Sequence, residues 1–190
     1  MKKKGKVIIF SAPSGSGKST LINHLLTLDL HLEFSISATS RAPRGGERHG
    51  KEYYFLPTEE FRRRIDAGEF LEWEEVYAGC YYGTPRAEVE RIWSGGATVL
   101  FDVDVVGGMN IKRVFNEQAL AIFVQPPSVE ALRQRLVARG TETPERIEQR
   151  LARAGYEMVF ASQFDAVIVN DNLTRALAEA EQVVRDFLHG

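Results

Sequence analysis

Residues 6–20, KVIIFSAPSGSGKST, place Gly15, Gly17, Lys18, Ser19 and Thr20 directly behind the apolar run Val7-Ile8-Ile9-Phe10. Glycines at those positions let successive backbone N–H groups converge on one concavity. The run that follows, Leu21-Ile22-Asn23-His24-Leu25-Leu26, predicts a helix whose N-terminus adds partial positive charge to the same spot. A polyphosphate suits such a cradle, so Ala12, Pro13, Ser14, Gly15, Ser16, Gly17, Lys18, Ser19 and Thr20 are the candidate polyphosphate-binding residues. In the phosphate-loop pattern the lysine, here Lys18, bridges the β- and γ-phosphates, and the following hydroxyl, Ser19, binds Mg²⁺. Ala12 stands where GxxxxGK[ST] has its first glycine, a change that costs little at negative φ. A glycine-rich turn without a nucleotide would leave Lys18 and Ser19 unexplained.

Further chemistry-bearing residues are scattered along the chain. Thr98-Val99-Leu100-Phe101 runs apolar into Asp102-Val103-Asp104. A carboxylate that closes a buried strand in phosphate-loop proteins holds Mg²⁺ directly or through water, which makes Asp102 a second metal candidate. Asp104, two residues on, would leave the same face of a strand at its carboxyl end, toward metal or acceptor. Arg41 and Arg44, separated by Ala42-Pro43, offer two guanidinium forks to the dianionic phosphate of a nucleoside monophosphate. Tyr53 and Tyr82 could add hydroxyl donors to it. Glu72 can accept together the adjacent N1–H and N2–H₂ donors of guanine, whereas adenine presents an acceptor at N1, and Ser37 and Thr84 could donate to O6. Pairing of that kind rejects a wrong base by roughly 10⁴-fold. Arg135, Arg139, Arg146 and Arg150 surround the threonine-rich loop at 139–143; as a lid they would neutralise charge on a transferred phosphoryl group and exclude water. The bland alternatives are surface charge for the arginines, Arg153 above all, and an ordinary exposed strand carboxylate for Glu72.

The elements that must position these groups alternate. Apolar strands are predicted at residues 7–10, 98–101, 119–124 and 166–169, and helical patterns follow all of them but the second. Near-continuous apolar runs mark parallel strands covered on both faces. Ser128 caps a helix through Ala138, Thr143 and Pro144 open the next, and Leu173 to Leu188 form the last. Between the first helix and residue 84 the pattern changes. Phe34-Ser35-Ile36-Ser37 alternates as a short strand, the polar block ATSRAPRGGERHGK forms a loop, Glu52 to Leu56 resumes a strand, Thr58 caps an amphipathic helix ended by Gly68, and FLEWEEVY alternates again. The expectation is an α/β fold: a three-layer parallel-sheet phosphate-loop core (1–34, 85–135 and 155–190), an inserted small β-rich acceptor lobe (35–84) and a helical lid (about 136–154).

Composition narrows the class. With 24 basic and 26 acidic residues the net charge is −2, so no bulk field draws nucleic acid or a membrane surface. Any anion site must be built locally. Cys80 is the only cysteine, which excludes an internal disulfide and a cysteine-based zinc cluster. The charged start at Met1 to Lys4 resembles that of a signal peptide, but the apolar run behind it breaks at Ser11-Ala12-Pro13. No segment approaches the about 20 apolar residues of a membrane span, and a cytoplasmic protein is expected.

Taken in order, SAPSGSGKST, SATSRAPRGGERHGKEYYF, EFLEW, YYGTP, VLFDVD, PPSVEALRQRLVARGTET and VIVND resemble the guanylate kinases of the nucleoside monophosphate kinase superfamily over nearly the whole chain. The resemblance implies ATP:GMP phosphotransfer with Mg²⁺, with GMP or dGMP as acceptor in a GMP-binding lobe. It implies contacts to that nucleotide from Ser37, Arg41, Arg44, Tyr53, Glu72, Tyr82, Thr84 and Asp104. Lys18 and the loop backbone would hold the ATP phosphates, with Arg135, Arg139 and Arg150 stabilising the transfer. One departure stands out, because Val106-Gly107 occupies the place of the family's usual Gln-Gly. The rivals are a non-catalytic guanylate kinase-like binding module, which typically lacks a working phosphate loop, and a kinase for another acceptor. A phosphate-loop GTPase fits worse, since no Asn-Lys-x-Asp motif is present.

Overall fold

The computed structural model describes residues 5–140 and 142–190, with the backbone alone at Tyr77. The charged start at Met1 to Lys4 and Thr141 of the threonine-rich loop lie outside the described residues. In chain order the elements are β1 (Val7–Ser11), α1 (Lys18–Thr27), β2 (Leu32–Phe34), β3 (Ala38–Thr39), β4 (Tyr54–Phe55), α2 (Thr58–Asp66), β5 (Phe70–Tyr77), β6 (Cys80–Pro85), α3 (Arg86–Ser94), β7 (Thr98–Asp102), α4 (Val105–Phe115), β8 (Ala119–Gln125), α5 (Val129–Arg139), α6 (Pro144–Met158), β9 (Ala166–Val169) and α7 (Leu173–His189).

Five strands form a parallel sheet in the order β2-β7-β1-β8-β9. Residues along β1 alternate between two cores, which is why it reads as an unbroken apolar run. Val7 and Ile9 pack with Val99, Phe101, Ala121, Phe123, Val89, Ile92 and Met109 on one face. On the other, Ile8 and Phe10 pack with Leu100, Ile122, Leu21, Leu25, Ala180 and Val184. With β7 and β8 on opposite sides of β1, the chain order reverses there, and a crevice opens beyond its carboxyl end. A second sheet, in the order β4-β3-β6-β5, has a small core of Ala38, Phe61, Phe70 and Tyr81. Helices α5 and α6 share a third cluster, Leu132, Leu136, Ile147, Leu151 and Ala154. No helix of the described residues is long and apolar enough to cross a membrane.

Three local expectations are corrected, and one helix carried no sequence signal. The strand expected over 34–37 is divided: β2 ends at Phe34 and belongs to the first sheet, while β3, in the second, begins at Ala38. The break follows from hydrogen bonding, since the Ile36 N–H turns aside to the Glu88 carboxylate at 3.2 Å. Thr58 does not cap α2; it is the first helical residue, behind Pro57, and its hydroxyl donates to the Gly79 carbonyl at 3.2 Å. Asp104 is not on a strand beside Asp102. It is the N-cap of α4, accepting from the Gly107 N–H at 2.8 Å. The helix α4 itself had no sequence signal, because Gly107 and Gly108 depress helix propensity. Space requires them: a Cβ at Gly108 would lie 2.7 Å from Ser11 Oγ, and one at Gly107 3.2 Å from Glu72 Oε2.

Glu88, on α3, ties the two sheets together. It is 3% exposed and accepts from the Ile36 N–H, from the Tyr54 hydroxyl at 2.9 Å and from two nitrogens of Arg91 at 2.8 and 3.1 Å. Burial alone would raise its pKa, but Arg91, the Ile36 N–H and the Tyr54 hydroxyl outweigh that cost and hold it below the ordinary glutamate value. A lowered pKa means stability that is present at neutral pH and lost as pH falls through the folded-state value. Glu88→Ala should therefore cost about 2 kcal/mol in urea unfolding at pH 7, and the gap to the parent should narrow below pH 4.5.

Candidate functional site

Beyond the carboxyl ends of β1 and β7 lies a cleft of about 920 Å³, lined at one end by residues of the glycine loop and at the other by the second sheet. The loop keeps its shape through two left-handed residues, Gly15 and Gly17, both at φ 96°. A Cβ on Gly17 would sit 2.2 Å from Asn170 Nδ2, so both space and conformation demand glycine there. Gly17 is the N-cap of α1 and brings no side chain to the first turn, which leaves that turn's leading N–H groups for an anion. Ala12, Pro13, Ser14, Gly15, Gly17, Lys18, Ser19 and Thr20 line the cleft.

Ser16 does not. Fully buried, it donates its hydroxyl to the Pro13 carbonyl at 2.6 Å and its N–H to the same carbonyl at 3.1 Å, so both of its donors are spent inside the loop. Its own carbonyl accepts from Asn170 Nδ2 at 2.7 Å and from Arg135 Nη1 at 3.4 Å. Arg135 also donates to the Asn170 carbonyl at 2.7 Å. Expected among the transfer arginines, Arg135 instead braces the loop from outside the cleft's lining. Asn170 had carried no role in the sequence reading; its signal was a polar residue closing the last buried strand, as Asp102 closes β7.

Lys18 forms an ion pair with Asp102 across the cleft and reaches the Val103 carbonyl at 3.5 Å. Ser19 and Asp102 face the same space. Among the described residues no three His, Cys, Asp or Glu side chains cluster to cage a metal. One hydroxyl and one carboxylate beside a phosphate cradle nevertheless match the way Mg²⁺ is bound, through one or two protein oxygens together with phosphates and water. From the α5–α6 side, Arg139, Arg146 and Arg150 line the cleft, and Arg150 bridges the Ser14 hydroxyl and Glu142.

At the far end Glu72 and Thr84 meet each other, with the Thr84 hydroxyl, expected to face a base, donating instead to Glu72 Oε1 at 2.6 Å. That hydroxyl has one proton, so Thr84, 1% exposed, orients Glu72 rather than donating to a base. Burial pushes the Glu72 carboxyl up, the Thr84 bond opposes it, and the charges of Asp104 and Glu74 add to the rise. Ser37, Arg44, Tyr53, Tyr82 and Asp104 also line this end. Burial raises the Tyr53 phenol, which keeps it a hydrogen-bond donor. Arg41 departs from expectation, because its fork is already filled by both oxygens of Glu47 at 2.6 and 2.8 Å and its Nε by the Tyr82 hydroxyl at 2.9 Å. Arg153, read as a surface residue, lines the cleft, 2.9 Å from Glu157 and 3.7 Å from Asp104. Glu74 and Glu157, unread in the sequence, line it too, and burial raises the pKa of each.

A parallel sheet whose central strand enters a glycine loop and a helix, with a lysine facing a strand-ending aspartate, defines a phosphate-loop nucleotide-binding protein. The sequence model of the guanylate kinase family matches residues 4–187. The guanylate kinase of Bacteroides thetaiotaomicron is 63% identical over 185 residues, 97% of this chain and 91% of the relative. That of Porphyromonas gingivalis is 55% identical over 184 residues, 96% of this chain and 98% of the relative. The crystal structure of guanylate kinase from Anaplasma phagocytophilum superposes with a TM-score of 0.73 at 31% identity, covering 98% of this chain and 87% of that one. The chain belongs to the guanylate kinase family, enzymes whose reaction is ATP:GMP phosphotransfer.

Because the Ser16 carbonyl depends on Asn170, Asn170→Ala should loosen the phosphate loop. The expected outcome is a loss of about 1–3 kcal/mol in thermal or urea unfolding, with a raised KM for ATP and a smaller change in KM for the acceptor.

Proposed function

We propose that the cleft binds ATP on the glycine loop and GMP against the second sheet, and that the γ-phosphoryl group passes directly between them. The observation that carries this reading is the placement, in one cleft, of Lys18 at one end and, at the other, of the half-buried Glu72 carboxylate held by the Thr84 hydroxyl behind it. A phosphate cradle alone would serve many reactions. A half-buried carboxylate aligned by a hydroxyl opposite that cradle suits an acceptor presenting two adjacent N–H donors, as guanine does.

In the proposed reaction an oxygen of the GMP phosphate attacks the γ-phosphorus in line, the bond to the β,γ-bridging oxygen breaks, and the electron pair leaves with ADP. No covalent enzyme intermediate is required, because holding both phosphates in register supplies the main advantage. Lys18 would leave Asp102 for the β- and γ-phosphates. Arg139 and Arg150 would compensate charge on the transferred group from the lid side, with Arg135 fixing the loop beneath it. Arg44, Tyr53 and Tyr82 would hold the acceptor phosphate, with Arg41 behind them, while Ser37, Glu72 and Asp104 address the nucleoside. Ser19 and Asp102 would hold Mg²⁺, which neutralises phosphate charge when bound. The second sheet within 35–84, which packs around apolar residues of its own, acts as the acceptor lobe, residues of about 136–154, rooted on Leu132 of the core, as the lid, and the remainder as the core. The half-buried free thiol of Cys80 suits a cytoplasmic setting.

The test is ADP formation from MgATP with GMP, dGMP, AMP, CMP and UMP in turn. GMP should give the highest kcat/KM; fastest turnover with AMP, or none with any acceptor, would overturn the assignment. Lys18→Ala should cut kcat by at least about 100-fold while GMP binding persists.

Glu72 predicts a pH dependence. The ionised form accepts from guanine, and burial raises its pKa, so kcat/KM for GMP should fall on the acid side at a pH above the ordinary 4.5. A raised carboxylate pKa also means that ionised Glu72 costs stability at neutral pH, a cost relieved as pH falls. Glu72→Gln should raise KM for GMP at least tenfold, abolish that acid limb and raise Tm, measured by pH-resolved kinetics and calorimetry.

A further inference from the structure

Glu47 lies in the loop between β3 and β4, three residues after Arg44 and six after Arg41, and it touches both. Its two oxygens take the end-on fork of Arg41 at 2.6 and 2.8 Å, and Oε2 also accepts the backbone N–H of Arg44 at 2.8 Å. The turn between them closes with the Glu47 N–H on the Arg44 carbonyl at 3.0 Å, through Gly45 at φ 53°. Arg41 is held on its other sides as well. Its guanidinium carbon lies 5.0 Å from the Tyr53 ring centre and 5.7 Å from that of Phe55, Nε donates to Tyr82, and the side chain is 11% exposed.

A guanidinium has two edges suited to an oxyanion. Glu47 fills the end-on edge and leaves the side-on edge toward the Tyr82 hydroxyl, which lines the cleft. We infer that Glu47 is a positioning residue for the acceptor phosphate: it locks Arg41 in one orientation and fixes the backbone of Arg44, so that both arginines stand ready beside Tyr53 and Tyr82. Its bonding points to a fixed brace rather than an anion waiting to be displaced. A displaceable carboxylate would not also hold the turn backbone, and the Arg41 and Arg44 contacts hold its pKa down to about 2, so it stays ionised throughout the working range. The inference rests on the assignment of the acceptor phosphate to this end of the cleft.

The test compares GMP with guanosine, which has the same base and sugar but no phosphate. In calorimetric titrations of the full-length protein, Glu47→Gln should weaken GMP about tenfold or more and leave guanosine affinity in place. Glu47→Asp, which keeps the charge on a shorter arm, should recover part of the loss. Retained or tighter GMP binding in Glu47→Gln would overturn the inference, the tighter result marking Glu47 as a competitor for the arginines. Equal weakening of GMP and guanosine would overturn it too, since the effect would then act through the fold. Arg41→Ala distinguishes the underlying assignment: if it leaves the GMP-to-guanosine affinity ratio unchanged, the phosphate clamp itself is misplaced, whatever Glu47 does.

Discussion

A loop that aims its N–H groups at a phosphate must send its carbonyls the other way, into protein, where each needs a donor. In this chain the carbonyl of Ser16 carries that constraint. Asn170 at the end of β9 and Arg135 on α5 both donate to it, and Arg135 in turn donates to the Asn170 carbonyl. Three segments far apart in sequence are thereby closed around one peptide group. The consequence reaches beyond the loop, because α5 packs against α6, and α6 carries Arg146 and Arg150 to the cleft. The same arginine that braces the phosphate loop thus roots the arginine-bearing helix pair above it.

Charge along the cleft is graded. The glycine-loop end holds Lys18, Arg139, Arg146 and Arg150 against Asp102 and Glu142, and the second-sheet end holds Glu72, Glu74, Asp104 and Glu157 against Arg44 and Arg153. A protein of net charge −2 attracts polyphosphate only because the cations are gathered locally. The acidic end has its own cost, visible as raised pKa values for Glu72, Glu74 and Glu157, each caused first by burial. Arg153 is the cation that pairs within that cluster, with Glu157 and, more distantly, Asp104. Its place on α6 links the stretch above the phosphates to the acidic end.

What was legible in the sequence follows periodicity and local chemistry. The apolar runs located β1, β7, β8 and β9, since strands buried on both faces need no alternation. Thr143 and Pro144 marked the start of α6 because capping is a local bond, and the Thr143 hydroxyl does accept from the Arg146 N–H. Lys18, Ser19 and Asp102 line one space, since the loop fixes the first two and the end of β7 the third. The misreadings concern direction and competition. Arg41 and Arg135 are arginines of the right kind in the right neighbourhood, but which anion or carbonyl fills a guanidinium depends on groups that only folding brings near. Helix α4 was hidden by Gly107 and Gly108, whose smallness answers to Glu72 and Ser11 rather than to helix propensity.

Val106, the departure from the family pattern, has a simple structural setting. It sits in the first turn of α4, 39% exposed, beside the glycine that admits the Glu72 carboxylate. No polar contact from residue 106 can assist there, so the fixing of Glu72 falls to the Thr84 hydroxyl and to the positive end of α4 beneath it. A carboxylate offers about four lone-pair sites, and Thr84 consumes one, which leaves enough for two donors from a purine edge. The base oxygen next to those donors would then need a donor other than Thr84. Under the proposed function Ser37, which lines the cleft, would supply it. On that proposal selectivity in this member of the family would rest on Glu72, Ser37 and Asp104, with no help from the position that is now valine.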